Sequence, residues 1–197
     1  MNKFELTNES KEICGIKLFR IKALIDFKDV KAGDLGGYIE KDENLSQEGN
    51  AWVYGDARVY GNARVYGNAL VSGNAEVCDN AWVCGNAWVS GNAEVCGDAR
   101  VSGNAEVSGN AEVYGDARVS GNSRVSGNAD YTIIKGFGTQ YRTTTFFRCK
   151  DEKVRVSCGC FYGTIDEFRA QVKNTRTGKV AEEYLLIADL MEKHFKK

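Results

Sequence analysis

Thirteen consecutive six-residue units of the form Ala-x-Val-x-Gly-(Asn/Asp) run from Ala51 to Asn128 without an insertion. Ala and Val stand two apart, so a short strand points both to one side and the residue between them to the other. The Gly and Asn/Asp that follow tolerate left-handed backbone angles, Gly for lack of a Cβ and Asn/Asp through a short polar side chain. Every sixth residue therefore turns a corner. Short strand, corner, short strand predicts a parallel β-helix, in which no coil buries its own face and each is stabilised by its neighbours. The chain contains no proline, as expected where nearly every backbone N–H must join a ladder.

An aliphatic residue is followed four positions on by a small one, from Val53 to Ala57 and Val59 to Ala63 through to Val125 to Ala129. In this pattern the sequence resembles the left-handed β-helix hexapeptide-repeat proteins, over about 40% of the chain. The resemblance implies three hexads per triangular coil and a left-handed winding, an exception to the usual right-handed crossover. The flanks, Asp34-Leu35-Gly36-Gly37-Tyr38-Ile39-Glu40 leading to Asn44–Ala51, and Cys158-Gly159-Cys160-Phe161 with Gly163-Thr164, resemble bacterial and phage or prophage hexapeptide-repeat proteins often labelled transferases.

An open β-helix end exposes a ring of strand edges and must be covered. Residues 1–50 are expected to form an N-terminal β cap with a first imperfect coil, from apolar stretches at Lys3–Leu6 and Ile13–Leu24 and a turn at Gly33–Gly37. Residues 51–130 are the repeat. Residues 131–197 read as strands at Tyr131–Lys135, Tyr141–Cys149 and Val154–Cys158, then two helices. Thr164 and Glu167 make a capping box for the first, and Val180, Tyr184, Ile187, Met191 and Phe195 share one face of the second. The fold class is thus an all-β solenoid with an N-terminal β cap and a C-terminal α+β cap.

With three hexads per coil, residues eighteen apart stack at roughly 4.8 Å, and the outward positions sort into columns. The first holds Trp52, Leu70, Trp88, Glu106 and Arg124, with Tyr54 beside Trp52. The second holds Arg58, Glu76, Glu94, Glu112 and Asp130. The third holds Arg64, Trp82, Arg100 and Arg118. Block duplication of the repeat would produce such sorting, and so would selection for partners: exposed Trp and Tyr in a row are what interface cores favour. Asp56, Asp98 and Asp116 replace the corner Asn, each two residues before an Arg, which suggests short-range Asp–Arg contacts.

No catalytic set is evident. Acyl transfer of the kind the resemblance brings to mind needs a histidine on the coil or its loop, and the single histidine, His194, lies near the end of the chain in a helical turn. Coordination by several histidines is equally unsupported, and Cys149, Cys158 and Cys160 lack a fourth partner other than His194. Cys78 and Cys96 lie one coil apart and read as small corner fillers. Seven cysteines with no framework spacing suggest reduced thiols. The corner glycines cradle no phosphate, and no cofactor is expected. The balance of 26 basic and 27 acidic residues predicts no bulk attraction to membrane, and three stacked arginines are few for nucleic acid. A cytoplasmic setting follows from the lack of an apolar run near Met1.

The expectation is a non-enzymatic binding or assembly module whose candidate interface is Trp52, Tyr54, Leu70, Trp88, Trp82, Arg64, Arg100, Arg118, Glu76, Glu94 and Glu112. Its partners would be copies of itself, with a trimer suggested by analogy, or a host protein in a phage setting. A small-ligand binder of nucleotide or acyl or sugar-nucleotide type is the alternative, and an acyltransferase-like enzyme the third reading.

Overall fold

The computed structural model describes residues 2–196. It contains β1 (Phe4–Ile13), β2 (Ile16–Ala23), β3 (Leu35–Ile39), then β4 to β16, thirteen two-residue strands from Trp52–Val53 to Arg124–Val125. After these come β17 (Tyr131–Phe137), β18 (Arg142–Arg148), β19 (Val154–Cys158), β20 (Phe161–Thr164), α1 (Ile165–Thr175) and α2 (Gly178–Phe195). The repeat winds as a parallel β-solenoid of about five turns. Each short strand pairs with the one eighteen residues on, as in Trp52↔Leu70↔Trp88, Arg58↔Glu76 and Arg64↔Trp82. The three outward columns read from the sequence are therefore the three faces of the solenoid.

Within the coil the N–H of an outward residue reaches the carbonyl seventeen residues on, as Glu94 to Ala111 at 2.9 Å and Arg100 to Ala117 at 2.8 Å. The inward Ala and Val of β4 to β16 are 0–1% exposed, each buried Val contributing about 1.5–3 kcal/mol. At the corners Gly takes left-handed φ, and Asp79, standing where the other units have Gly, holds φ 57° while its carboxylate accepts the Gly97 N–H at 3.1 Å.

Corner asparagines form ladders along the outside. Asn50, Asn68, Asn86 and Asn104 each donate a side-chain N–H to the Asn one coil on, at 2.9–3.2 Å. Asp56 opens its corner column, and Asp98 and Asp116 are the last two members of theirs. The proposed Asp–Arg contacts do not form: Asp56 pairs with Lys11 at 3.6 Å, Asp98 accepts from Asn80, and Asp116 takes Lys135 and the Thr143 hydroxyl. A carboxylate accepts but cannot donate, so Asp is tolerated where a ladder starts or stops.

The N-terminal hairpin turns tightly at Cys14 (φ 51°) and Gly15 (φ 80°), the backbone that two-residue hairpin loops favour. β2 pairs antiparallel with β3, and β3 pairs parallel with Arg58–Val59, so the hairpin extends the second face into a seven-stranded sheet. The buried Asn44 donates to the carbonyls of Ala63 (2.8 Å) and Gly61 (3.2 Å), and Leu45 bridges to Val65 on the third face. Gly37 is required by close approach: a Cβ there would stand 2.6 Å from Val53 Cγ1 and 2.7 Å from the Ala57 carbonyl oxygen.

At the other end the antiparallel sheet β17-β18-β19-β20 lies between the last coil and the helices. Successive residues of β18 face opposite ways: Phe147 joins the solenoid core, whereas Phe146 packs with Phe168, Tyr184, Ile187 and Met191 of α1 and α2. The cap also receives donors that would have served a further coil. The backbone N–H of Arg118 goes to the Thr145 hydroxyl (3.0 Å) and that of Glu112 to the Asn128 side chain (2.8 Å). Thr164 and Glu167 form the expected capping box of α1. Among the described residues no helix is long and apolar enough to cross a membrane.

Candidate interaction faces

On the first face the structure corrects the sequence reading. Trp52 is 1% exposed, with the rings of Phe4 and Phe27 packed edge-on at 6.3 and 5.3 Å. Lys3 closes the lid: its ammonium lies 5.2 Å over the Phe27 ring and donates to the Ala51 carbonyl at 2.9 Å. Burial pushes its pKa down to about 8. Trp52 is thus a core residue, because the residues flanking the hairpin fold across the first rung. Tyr54 and Leu70 are half-buried against the same core. Only Trp88 stands out, 47% exposed, its indole N–H donating to the Ser72 hydroxyl at 2.9 Å. Beyond it Glu106 is neutralised by Lys150 (2.7 Å) and Arg124 (3.9 Å).

The second face is less uniformly acidic than its column suggests. Arg58 binds Glu76 through Nε (3.1 Å) and Nη2 (2.8 Å), and Tyr60 donates its hydroxyl to the same carboxylate. Glu94, one coil on from Glu76, accepts the hydroxyl of Tyr114, three coils beyond Tyr60. The Tyr60 phenol is held well above its usual range by burial and then by Glu76, and that of Tyr114 by the Glu94 bond and then by burial. Between the two tyrosines Cys78 and Cys96 are joined in a disulfide, Cα to Cα 4.7 Å. The expectation of reduced thiols fails for this pair because in-register neighbours one coil apart meet the spacing a disulfide needs.

The third face is built of β6, β9, β12 and β15; like the first it gains no full cap strand, and only the Leu45 bridge to Val65 extends its N-terminal edge. Trp82 is 36% exposed and held from two sides, by the Tyr66 edge at 6.2 Å and by the Arg100 guanidinium 4.7 Å over its ring. Burial, then Cys84, pushes the Tyr66 phenol up to about 12. Arg100 pairs in register with Arg118. Among the described residues neither arginine, nor Arg64, has a carboxylate within salt-bridge distance. A cleft at the C-terminal end of this face adds Lys135, Tyr141 and Arg142. The sequence reading missed these three, since no repeat places the tail strands on a face. At the other end Asp42, Glu43 and Leu45 frame a recess against Tyr66 and Trp82.

The remaining chemical candidates stay apart. Cys149 is buried, Cys158 accepts the Thr144 hydroxyl at 3.1 Å, and Cys160 is exposed. His194 is exposed in the last turn of α2, edge-on to Phe195.

Comparison with known proteins agrees with this architecture. The YdcK Beta solenoid repeat is matched at residues 51–65, 63–79 and 111–127. The chain is a hexapeptide-repeat β-helix protein. Over 62 residues this β-helix protein is 37% identical to the "Uncharacterized acetyltransferase YdcK" of Escherichia coli (strain K12), a stretch covering 27% of this chain and 19% of that protein. The likeness is thus to a repeat segment, and the chain spans about a fifth of its relative's length.

Proposed function

We propose that this hexapeptide-repeat protein is a binding and assembly module that docks through its third face. The observation that carries the reading is Trp82, exposed between Tyr66 and Arg100 on a face whose Arg64, Arg100 and Arg118 have, among the described residues, no carboxylate within salt-bridge distance. Aromatic and Arg anchors of this kind dominate interface energetics. The partner with matching chemistry in hand is a second copy: Glu94 and Glu112 on the second face repeat at the same coil spacing as Arg100 and Arg118 on the third. Such a contact joins unlike surfaces, so it closes into a ring or extends as a filament.

Light scattering after size exclusion tests this. Self-association that weakens with salt and is lost in Trp82→Glu and Arg100→Glu supports the reading. A wild-type protein that stays monomeric across the concentration range overturns it.

A second reading, acetyl transfer, rests on the 62-residue match to a protein named an acetyltransferase. Its test is thiol release from acetyl-CoA with candidate amine and hydroxyl acceptors. Turnover that persists in His194→Ala would locate the base elsewhere.

A further inference from the structure

The second face carries a group of side chains that neither docking nor acyl transfer employs. Cys78 and Cys96 follow Val77 and Val95, which pair directly on neighbouring coils. Both cysteines are nearly buried, at 6% and 5% exposure. Glu76 precedes Cys78 by two residues and so shares its side of the strand. Its carboxylate oxygen and the two sulfurs all lie within 4.8 Å of one another. Among the described residues this is the one cluster of three such donors that close together.

Thiolates are soft ligands that select ions of the zinc class. Two of them on one tetrahedral ion, at a metal–sulfur distance of about 2.3 Å, stand roughly 3.8 Å apart. Side chains on backbones 4.7 Å apart reach that separation by rotation about χ1, with no movement of the coil. The third donor is already oriented. Arg58 and Tyr60 both bond the Glu76 carboxylate, the kind of outer support that fixes a ligating group. The Arg58 charge also offsets part of the negative charge of two thiolates and a carboxylate. Glu94, in register with Glu76, places a further carboxylate one coil on.

We propose that Cys78, Cys96 and Glu76 form a binding site for a thiophilic divalent cation when the Cys78–Cys96 bond is reduced, so that disulfide and metal are alternative states of one patch. A dithiol reductant supplies the two electrons and two protons that convert the disulfide into two thiols, itself leaving as a disulfide. The incoming ion then displaces the two thiol protons to solvent. The site shares the second face with Glu94 and Glu112, but its three donors take no part in the docking contact and its readout is metal binding rather than self-association, so the failure of one reading is distinguishable from the failure of the other.

The test is titration of the full-length protein with Cd²⁺, followed by thiolate-to-cadmium charge-transfer absorption, before and after reduction by a phosphine. The expected result is one equivalent bound by the reduced protein and none by the oxidised one. Affinity should fall at least tenfold in Cys78→Ser and Cys96→Ser, fall several-fold in Glu76→Gln, and stay unchanged in Cys84→Ser. The proposal is overturned if the reduced wild type shows no band at one equivalent, or if Cys78→Ser/Cys96→Ser retains it. Should that double variant fail to fold, alkylation of the reduced wild type read by peptide mass spectrometry decides. One equivalent of Cd²⁺ must protect Cys78 and Cys96 selectively, and equal labelling with and without the ion rejects the site.

Discussion

Asn80 donates a side-chain N–H to the carboxylate of Asp98 one coil on, at 3.1 Å, and there the corner ladder stops. Asp98 has no N–H to hand forward, and Asp116 beyond it is already bound to Lys135 and Thr143. The ladder has a direction, donors pointing toward the C-terminal end, so Asn and Asp are not equivalent along it.

Asn86→Asp, in mid-ladder, keeps the bond from Asn68 and loses the one to Asn104. It should cost about 0.5–1.5 kcal/mol. Asp98→Asn leaves its incoming bond intact and should change stability by less than about 0.5 kcal/mol. Urea denaturation midpoints of the two variants separate these outcomes.

Two tryptophans of one column should behave in opposite ways. Trp52→Ala empties a fully buried site between Phe4 and Phe27 and should destabilise by about 3–5 kcal/mol. Trp88→Ala removes an exposed ring and a bond to Ser72, and about 1 kcal/mol is expected. Calorimetric melting of both variants checks the contrast.

Stability in alkali should pass through a maximum. Between pH 8 and about 10.4 an unfolded Lys3 keeps a proton that the folded one, with its pKa near 8, has released. Unfolding is then disfavoured progressively as pH rises, by about 3 kcal/mol at most. Above pH ~10 the sign reverses: Tyr66, Tyr60 and Tyr114 hold their protons in the folded state after the unfolded chain has lost them. Lys3→Met should flatten the rise and leave the alkaline fall in place, read from urea denaturation at fixed ionic strength.

Gly37→Ala forces a methyl group against Val53 Cγ1 and the Ala57 carbonyl, both in the first turns of the coil. Overpacking against backbone should cost about 1–3 kcal/mol or more. Limited proteolysis should then cut first within residues 2–50, whereas Gly127→Ala, with open space around it and an extended backbone, leaves the cleavage pattern unchanged.

The solenoid was legible because its period is local: Ala, Val and Gly repeat every six residues, and stacking at eighteen follows once three faces are assumed. α1 was legible too, since Thr164 and Glu167 mark its start within one turn. What escaped were contacts made by segments without a period. Nothing in Lys3, Phe4 or Phe27 announces that they cover Trp52, and nothing in Arg142 or Lys135 says that they extend the third face. Cys78 and Cys96 were placed in contact by the period, but the bond between them is a matter of side-chain reach and not of spacing alone.

The eighteen-residue stacking also quantises the length of this protein. Removing or adding eighteen residues shortens or lengthens every face by one rung, about 4.8 Å, and returns both caps to the faces they now occupy. Removing six leaves the inward Ala and Val content intact yet turns the C-terminal cap by one face relative to the hairpin and transfers each downstream outward residue to a neighbouring column. Trp82 would then stack on a different set of side chains though the core was unchanged. A fold that tolerates any number of hexads therefore keeps its surface only in steps of three.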